Sequence, residues 1–179
     1  FSIFLLPAYG ANKDTKAIYE LIERVTPGYS SQYRLEIIAP DNGVDVYEVD
    51  GNGKEIILRG NTPVALATAF NWYLKYTCQA HVSWFGNQLN LPEKLPQPRE
   101  RERRVINGRY RVYMNYCTVS YTAAWWDWER WQKELDFMAM NSVNMPLFTI
   151  GLDAVWYNTL LHFNFSDREA RAFLAGPGH

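Results

Sequence analysis

Carboxylates, a thiol and indoles crowd into one stretch of the chain, RYRVYMNYCTVSYTAAWWDWERWQKELDFMAMNSVNMPL, from Arg109 to Leu147. Asp127, Glu129, Glu134 and Asp136 invite the idea of a paired acid and base. Their spacing argues for something plainer. Glu129 to Lys133 and Arg130 to Glu134 have the i,i+4 spacing of helix ion pairs worth about 0.3–0.5 kcal/mol each, so the four carboxylates are expected on a solvated face. Trp125, Trp126, Trp128 and Trp131, four of the seven tryptophans, have the flat apolar surface that stacks on sugar rings. Trp128 and Trp131, however, fall on the apolar stripe of a predicted helix that must cover a sheet, and core packing is expected of both. Trp125 and Trp126 fall in its first turn, where one of them could support a site from behind. A nucleophilic Cys117 would need a base, and no His lies near it in sequence; a bridge to Cys78 is a second reading. The three histidines show no metal-ligand spacing, and no cofactor is expected.

These side chains need a frame. Before Tyr121 the residues are β-branched or aromatic with polar positions interleaved, as in a half-buried strand. From Ala124 the apolar period becomes helical through Trp128, Trp131, Leu135 and Met138, and Ser142 to Ile150 reads as a second strand. That is a β-α-β unit. An amphipathic stretch from Asp153 to Phe163 follows, and Ser166 with Glu169 has capping-box spacing for one more short helix. The pattern suits a parallel sheet or the first units of a (β/α)8 barrel; such a barrel needs about 250 residues and only about 75 follow residue 104, so it would be truncated.

The earlier part of the chain is built differently. Ile18, Leu21, Ile22 and Val25 sit at helical spacing, and Thr26-Pro27-Gly28 ends that helix. Tyr33 to Ala39, Val44 to Val49 and Glu55 to Leu58 read as strands, the last two joined by the hairpin signal Asp50-Gly51-Asn52-Gly53. Asn61-Thr62-Pro63 starts a second helix with a cap and a first-turn proline, running to about Tyr76. Leu66, Ala69, Phe70, Tyr73 and Leu74 would pack this helix on the three strands, giving a small two-layer α+β domain over residues 12–91. Leu91 to Arg104 holds three prolines, dense charge and no apolar period. Residues 92–104 are therefore expected to be a linker whose basic side chains are solvated and have no partner, with the barrel units from 105 to 179.

Composition bounds the partners. The 179 residues are 47% apolar, 16% aromatic and 21% charged with a net charge of -1, so the basic footprint of nucleic-acid or anionic-membrane binding is missing. No run after the first residues reaches the roughly 18 apolar residues that a membrane span needs. The opening Phe1 to Leu6, followed by Pro7, Ala8 and Gly10, reads as the tail of a signal peptide cleaved after Gly10 or Ala11, with an edge strand as the competing reading.

The motif N-x-C-T-x-S-Y followed by W-W-D-W-x-R-W, with GLDAVWYNTLLHF and SDREARAFLAGPGH beyond it, closely resembles the alpha-N-acetylglucosaminidases, the family 89 glycoside hydrolases. The resemblance is strong over residues 105–179 and weaker ahead of them, where a small α/β domain before a barrel also fits the family. It implies an exported or lysosomal exo-enzyme that removes terminal α-linked N-acetylglucosamine from glycans with retention, using two glutamates on later barrel strands. This chain ends before those strands, so its expected partners are such a glycan and the remainder of the catalytic barrel, and the chain alone is expected to be inactive. By the same resemblance Asn115, Cys117 and Tyr121 contact the sugar, at the end of the first barrel strand and in the loop after it. One departure is visible. Gly151-Leu152-Asp153 stands where the family commonly has Gly-Gln-Glu, which puts in doubt a polar contact from the second strand's end. Asp153 is either a helix N-terminal charge or a remnant of that acidic position. Asn164-Phe165-Ser166 is a glycosylation sequon, meaningful only in a eukaryotic secretory host. The alternative function is a non-catalytic carbohydrate-binding or docking module.

Overall fold

A computed structural model describes residues 13–174, so the possible signal remnant at residues 1–11 lies outside the described residues. The described chain forms two compact units. Residues up to 111 with 134–144 make the first, and 112–133 with those from 145 onward make the second.

In the first unit α1 (Lys13–Val25) leads through a single 3-10 turn into β1 (Tyr33–Ile37), followed by β2 (Asp45–Gly51), β3 (Ile56–Gly60), α2 (Pro63–Tyr76) and β4 (Glu102–Ile106). The sheet order is β1-β3-β2-β4, with β1 parallel to β3 and β2 antiparallel to both its neighbours. The expected chemistry starts α2: the Ala65 N–H donates to the Thr62 hydroxyl at 3.1 Å, and Pro63 takes the first turn. The helix buries Leu66, Phe70, Tyr73 and Leu74 completely, with Ile22 of α1 and Leu58 of β3 in the same core. Burial of this kind stabilises by about 1.5–3 kcal/mol per large apolar side chain.

Burial also sets a pH limit. It pushes the phenol of Tyr47 up to about 12 and those of Tyr33 and Tyr73 well above the usual range. In the unfolded chain these groups ionise near their ordinary value of about 10. Stability is therefore full below pH 10 and falls as pH rises from there through 12, because only the unfolded chain releases the protons. Phenolate absorbance followed together with far-UV circular dichroism should show these tyrosines ionising only as the first unit unfolds.

Residues 92–104 do more than connect. Glu102–Ile106 adds a fourth strand against β2, and Leu95 is buried with its N–H donating to the Gln32 side chain at 2.9 Å. The basic side chains expected to lack partners have them: Arg101 donates to Glu48 at 2.6 Å, Arg103 donates to Asp41 at 2.6 Å, and the Arg104 guanidinium lies over the Trp72 ring. Apolar periodicity was absent because only Ile106 of this edge strand enters the core, the rest being held by ladder bonds and ion pairs.

The second unit holds β5 (Val112–Tyr113), α3 (Tyr116–Ser120), the start of α4 (Trp128–Met140), β6 (Met145–Pro146), α5 (Leu152–His162) and α6 (Asp167–Phe173). The capping box expected at Ser166 and Glu169 is formed. The helix expected from Ala124 begins at Trp128, where the Arg130 N–H donates to the Asp127 carboxylate at 2.9 Å. Of the two tryptophans expected in the core, Trp131 is buried, with Trp126 and Phe148 against it at ring-centre distances of 4.8 and 5.3 Å. Trp128 is exposed, because it stands in the first turn ahead of the part that those rings cover.

The later turns of α4 belong to the first unit, and they correct the expectation of a solvated carboxylate face. Asp127 and Glu129 are exposed, and Glu129 accepts from Lys133 at 2.8 Å. Glu134 and Asp136 are buried. The Trp84 indole N–H donates to Glu134 at 3.3 Å, and Arg24 grips Asp136 through two bonds of 2.8 Å. From Glu134 to Met140 no residue is exposed, so polar positions go inside along with apolar ones and must find partners. Among the described residues no helix is long and apolar enough to cross a membrane.

Candidate functional site

β5 and β6 pair in parallel, Val112 with Met145 and Tyr113 with Pro146, as the first two strands of a barrel should. Where a longer strand was expected before Tyr121, β5 stops after two residues. Met114 then turns the chain at φ 67°, a left-handed conformation that costs a non-glycine residue about 1–2 kcal/mol and is found preferentially where function requires it. Sequence reasoning missed Met114, since no residue type there signals the turn.

Asn115 follows as the N-cap of α3. Its side-chain oxygen accepts from the Thr118 N–H at 3.0 Å and from the Thr118 hydroxyl at 3.1 Å. The cap uses the oxygen and leaves the amide NH2 as the group that Asn115 offers outward. Cys117 lies in the first turn of α3 with its thiol exposed, and Tyr121 is the C-cap residue, 56% exposed. The structure thus gathers Asn115, Cys117 and Tyr121 onto one short helix and its two ends, at the carboxyl end of β5. An amide donor, a small weakly polar sulfur and a phenol in that place suit a ring with several hydroxyls.

Cys78 and Cys117 are both free thiols, so the bridge between them is not formed. Burial pushes the Cys78 thiol up, which disfavours its thiolate. After β6, Gly151 in the left-handed conformation caps α5, Leu152 is exposed and Asp153 sits in the first helical turn, where an acidic side chain favours the helix dipole. Among the described residues no group of His, Cys, Asp or Glu could hold a metal ion.

A small sheet domain covered by helices, followed by parallel β/α units with polar side chains at the first strand's carboxyl end, defines the opening of a (β/α)8 barrel behind an N-terminal domain. Residues 16–97 match the N-terminal domain of alpha-N-acetylglucosaminidase, and residues 109–179 match its TIM-barrel domain. The chain belongs to the alpha-N-acetylglucosaminidase family, the family 89 glycoside hydrolases. It is 35% identical over 170 residues to the alpha-N-acetylglucosaminidase of Homo sapiens, covering 92% of this chain and 23% of that protein. A family 89 glycoside hydrolase from Clostridium perfringens, solved in complex with PUGNAc, superposes with a TM-score of 0.85 at 36% identity, covering 92% of this chain and 19% of that one. The same figures hold for a variant of the Clostridium perfringens enzyme, two glutamates replaced by glutamine, in complex with its substrate GlcNAc-alpha-1,4-galactose. This chain therefore spans about a fifth of the relatives' length.

Proposed function

We propose that the chain is the N-terminal part of a retaining exo-glycosidase that removes terminal α-linked N-acetylglucosamine from glycans, with Asn115, Cys117 and Tyr121 lining the subsite for that sugar. Family membership supports the reaction. The observation that carries the site assignment is the exposed, capped turn at the carboxyl end of β5, since barrel enzymes assemble their sites from strand ends and the loops that follow. The two glutamates come from the rest of the barrel. Retention requires the two carboxyls about 5 Å apart, one attacking the anomeric carbon and the other protonating the leaving oxygen and then activating water.

The complete enzyme is expected to act on a disaccharide with terminal α-linked N-acetylglucosamine and to release the sugar first as the α anomer, as seen by proton NMR. A β anomer would overturn retention, and no release at all would favour a non-catalytic carbohydrate-binding module. The present chain alone should release no 4-nitrophenol from the α-N-acetylglucosaminide, because it holds the grip on the sugar without the acids. Tyr121→Phe in the complete enzyme removes one hydroxyl from the subsite, and kcat/KM should fall about tenfold, as for one lost hydrogen bond. An unchanged kcat/KM would place Tyr121 outside it. Export belongs to the same reading, supported by the apolar run from Phe1 to Leu6.

A further inference from the structure

The pairing of β5 with β6 raises a question of register. Each strand has two residues, and both Val112 and Met145 are exposed, at 64% and 45%. Register in a parallel pair is normally set by a buried face, and a slip of one residue reverses every side chain. Two residues per strand, with only Tyr113 and Pro146 half-buried, give this pair little apolar surface of its own. The residues immediately ahead of the two strands supply what is missing.

Asn144 acts as an extra rung. Its side-chain oxygen accepts from the Arg111 backbone N–H at 2.9 Å, its side-chain NH2 donates to the Arg109 carbonyl at 2.9 Å, and its own backbone N–H donates to the Arg111 carbonyl at 3.3 Å. The Arg111 guanidinium completes the arrangement. It donates to the Ser142 carbonyl, to the Gly108 carbonyl at 2.8 Å and to the Asp45 carboxylate, and Arg111 and Asp45 are only 13% and 12% exposed. Asp45 opens β2, so the node is anchored in the four-stranded sheet. Every donor it uses reaches an oxygen, as a buried charge requires.

We infer that Arg111 and Asn144, anchored by Asp45, are positioning residues that set the register of the first two barrel strands and through it the placement of Asn115, three residues beyond Val112. The role in the reaction rests on the function proposed above, whereas the role in register does not. Neither side chain touches the sugar in this account. Both act through β5.

Amide hydrogen exchange on the complete enzyme tests the register. The Leu147 N–H, bonded to the Tyr113 carbonyl at 2.9 Å, reports on the β5–β6 pair, and the Ile38 N–H, bonded to the Gly60 carbonyl at 3.0 Å, reports on the sheet of the first unit. Arg111→Lys keeps the charge but loses the fork, and Asn144→Ala removes an exposed side chain without touching the core. In Asn144→Ala, and in Arg111→Lys if that variant folds, Leu147 should exchange at least about tenfold faster while Ile38 stays within about twofold. Equal changes at the two amides, or no change at Leu147, would overturn the inference.

Kinetics test the link to the sugar. In the complete enzyme Asn144→Ala should raise KM about fivefold or more with kcat within about twofold, since a displaced subsite weakens binding in the ground and transition states alike. Mere loss of folded enzyme lowers apparent kcat at constant KM, and that result would remove the positioning role. A complete enzyme that hydrolyses nothing would sink the proposed function and leave the exchange result standing.

Discussion

Asn115→Asp in the complete enzyme is expected to lower kcat/KM about a hundredfold while leaving the stability of the first barrel turn unchanged. The two effects separate because Asn115 divides its duties by atom. Its side-chain oxygen caps α3, bonded to the Thr118 N–H and hydroxyl. Aspartate caps helices as well as asparagine does, so that duty survives. In the proposed subsite the NH2 is the part offered to the sugar, and a carboxylate in its place would turn a donor into a charged acceptor, leaving a sugar oxygen unpaired and a charge partly desolvated. Asn115→Ala removes both duties, so it should lose activity and also loosen α3. If Asn115→Asp kept full activity, the amide would have no part in binding.

The second large effect is on stability. Gly60 ends β3 where α2 begins, and a Cβ there would stand 2.7 Å from the Leu66 amide nitrogen and 3.0 Å from the Ala65 carbonyl carbon. Both atoms are backbone of a helix whose buried face fills the core, so no flexible side chain can move aside. Gly60→Ala is expected to destabilise the first unit by about 3 kcal/mol, the upper range for overpacking. Gly28→Ala is the natural comparison. Gly28 has a φ of 84° with open space around its position, so the cost there is only conformational, about 1 kcal/mol. Urea unfolding of the three proteins should rank them in that order. Equal midpoints for Gly60→Ala and the parent chain would show that α2 does not sit as closely on β3 as described.

The reasons why some of this was legible in the sequence are local. Thr62 and Pro63 announce the start of α2, Ser166 and Glu169 announce α6, and the glycines and asparagine at 50–53 turn β2 into β3, each by chemistry contained within a few residues. What the sequence hid depends on distant partners. Glu134 and Asp136 look like a solvated face until Trp84 and Arg24 are brought to them, the latter from 112 positions away. The strand at Glu102–Ile106 was obscured because its Arg103 pairs by charge with Glu48 and Asp41. At the site, Asn115, Cys117 and Tyr121 stood out through resemblance, whereas the left-handed turn at Met114 that delivers them has no residue signature at all. Arg111 and Asn144 are ordinary polar residues until the two short strands are seen to need them.

The most direct measurement is a crystal structure of the complete enzyme, its catalytic glutamates replaced by glutamine, with a disaccharide carrying terminal α-linked N-acetylglucosamine. The account predicts the amide NH2 of Asn115 and the hydroxyl of Tyr121 within about 3.2 Å of oxygens of that terminal sugar, with the Cys117 sulfur in van der Waals contact. A sugar bound with none of these three side chains against it would contradict the account.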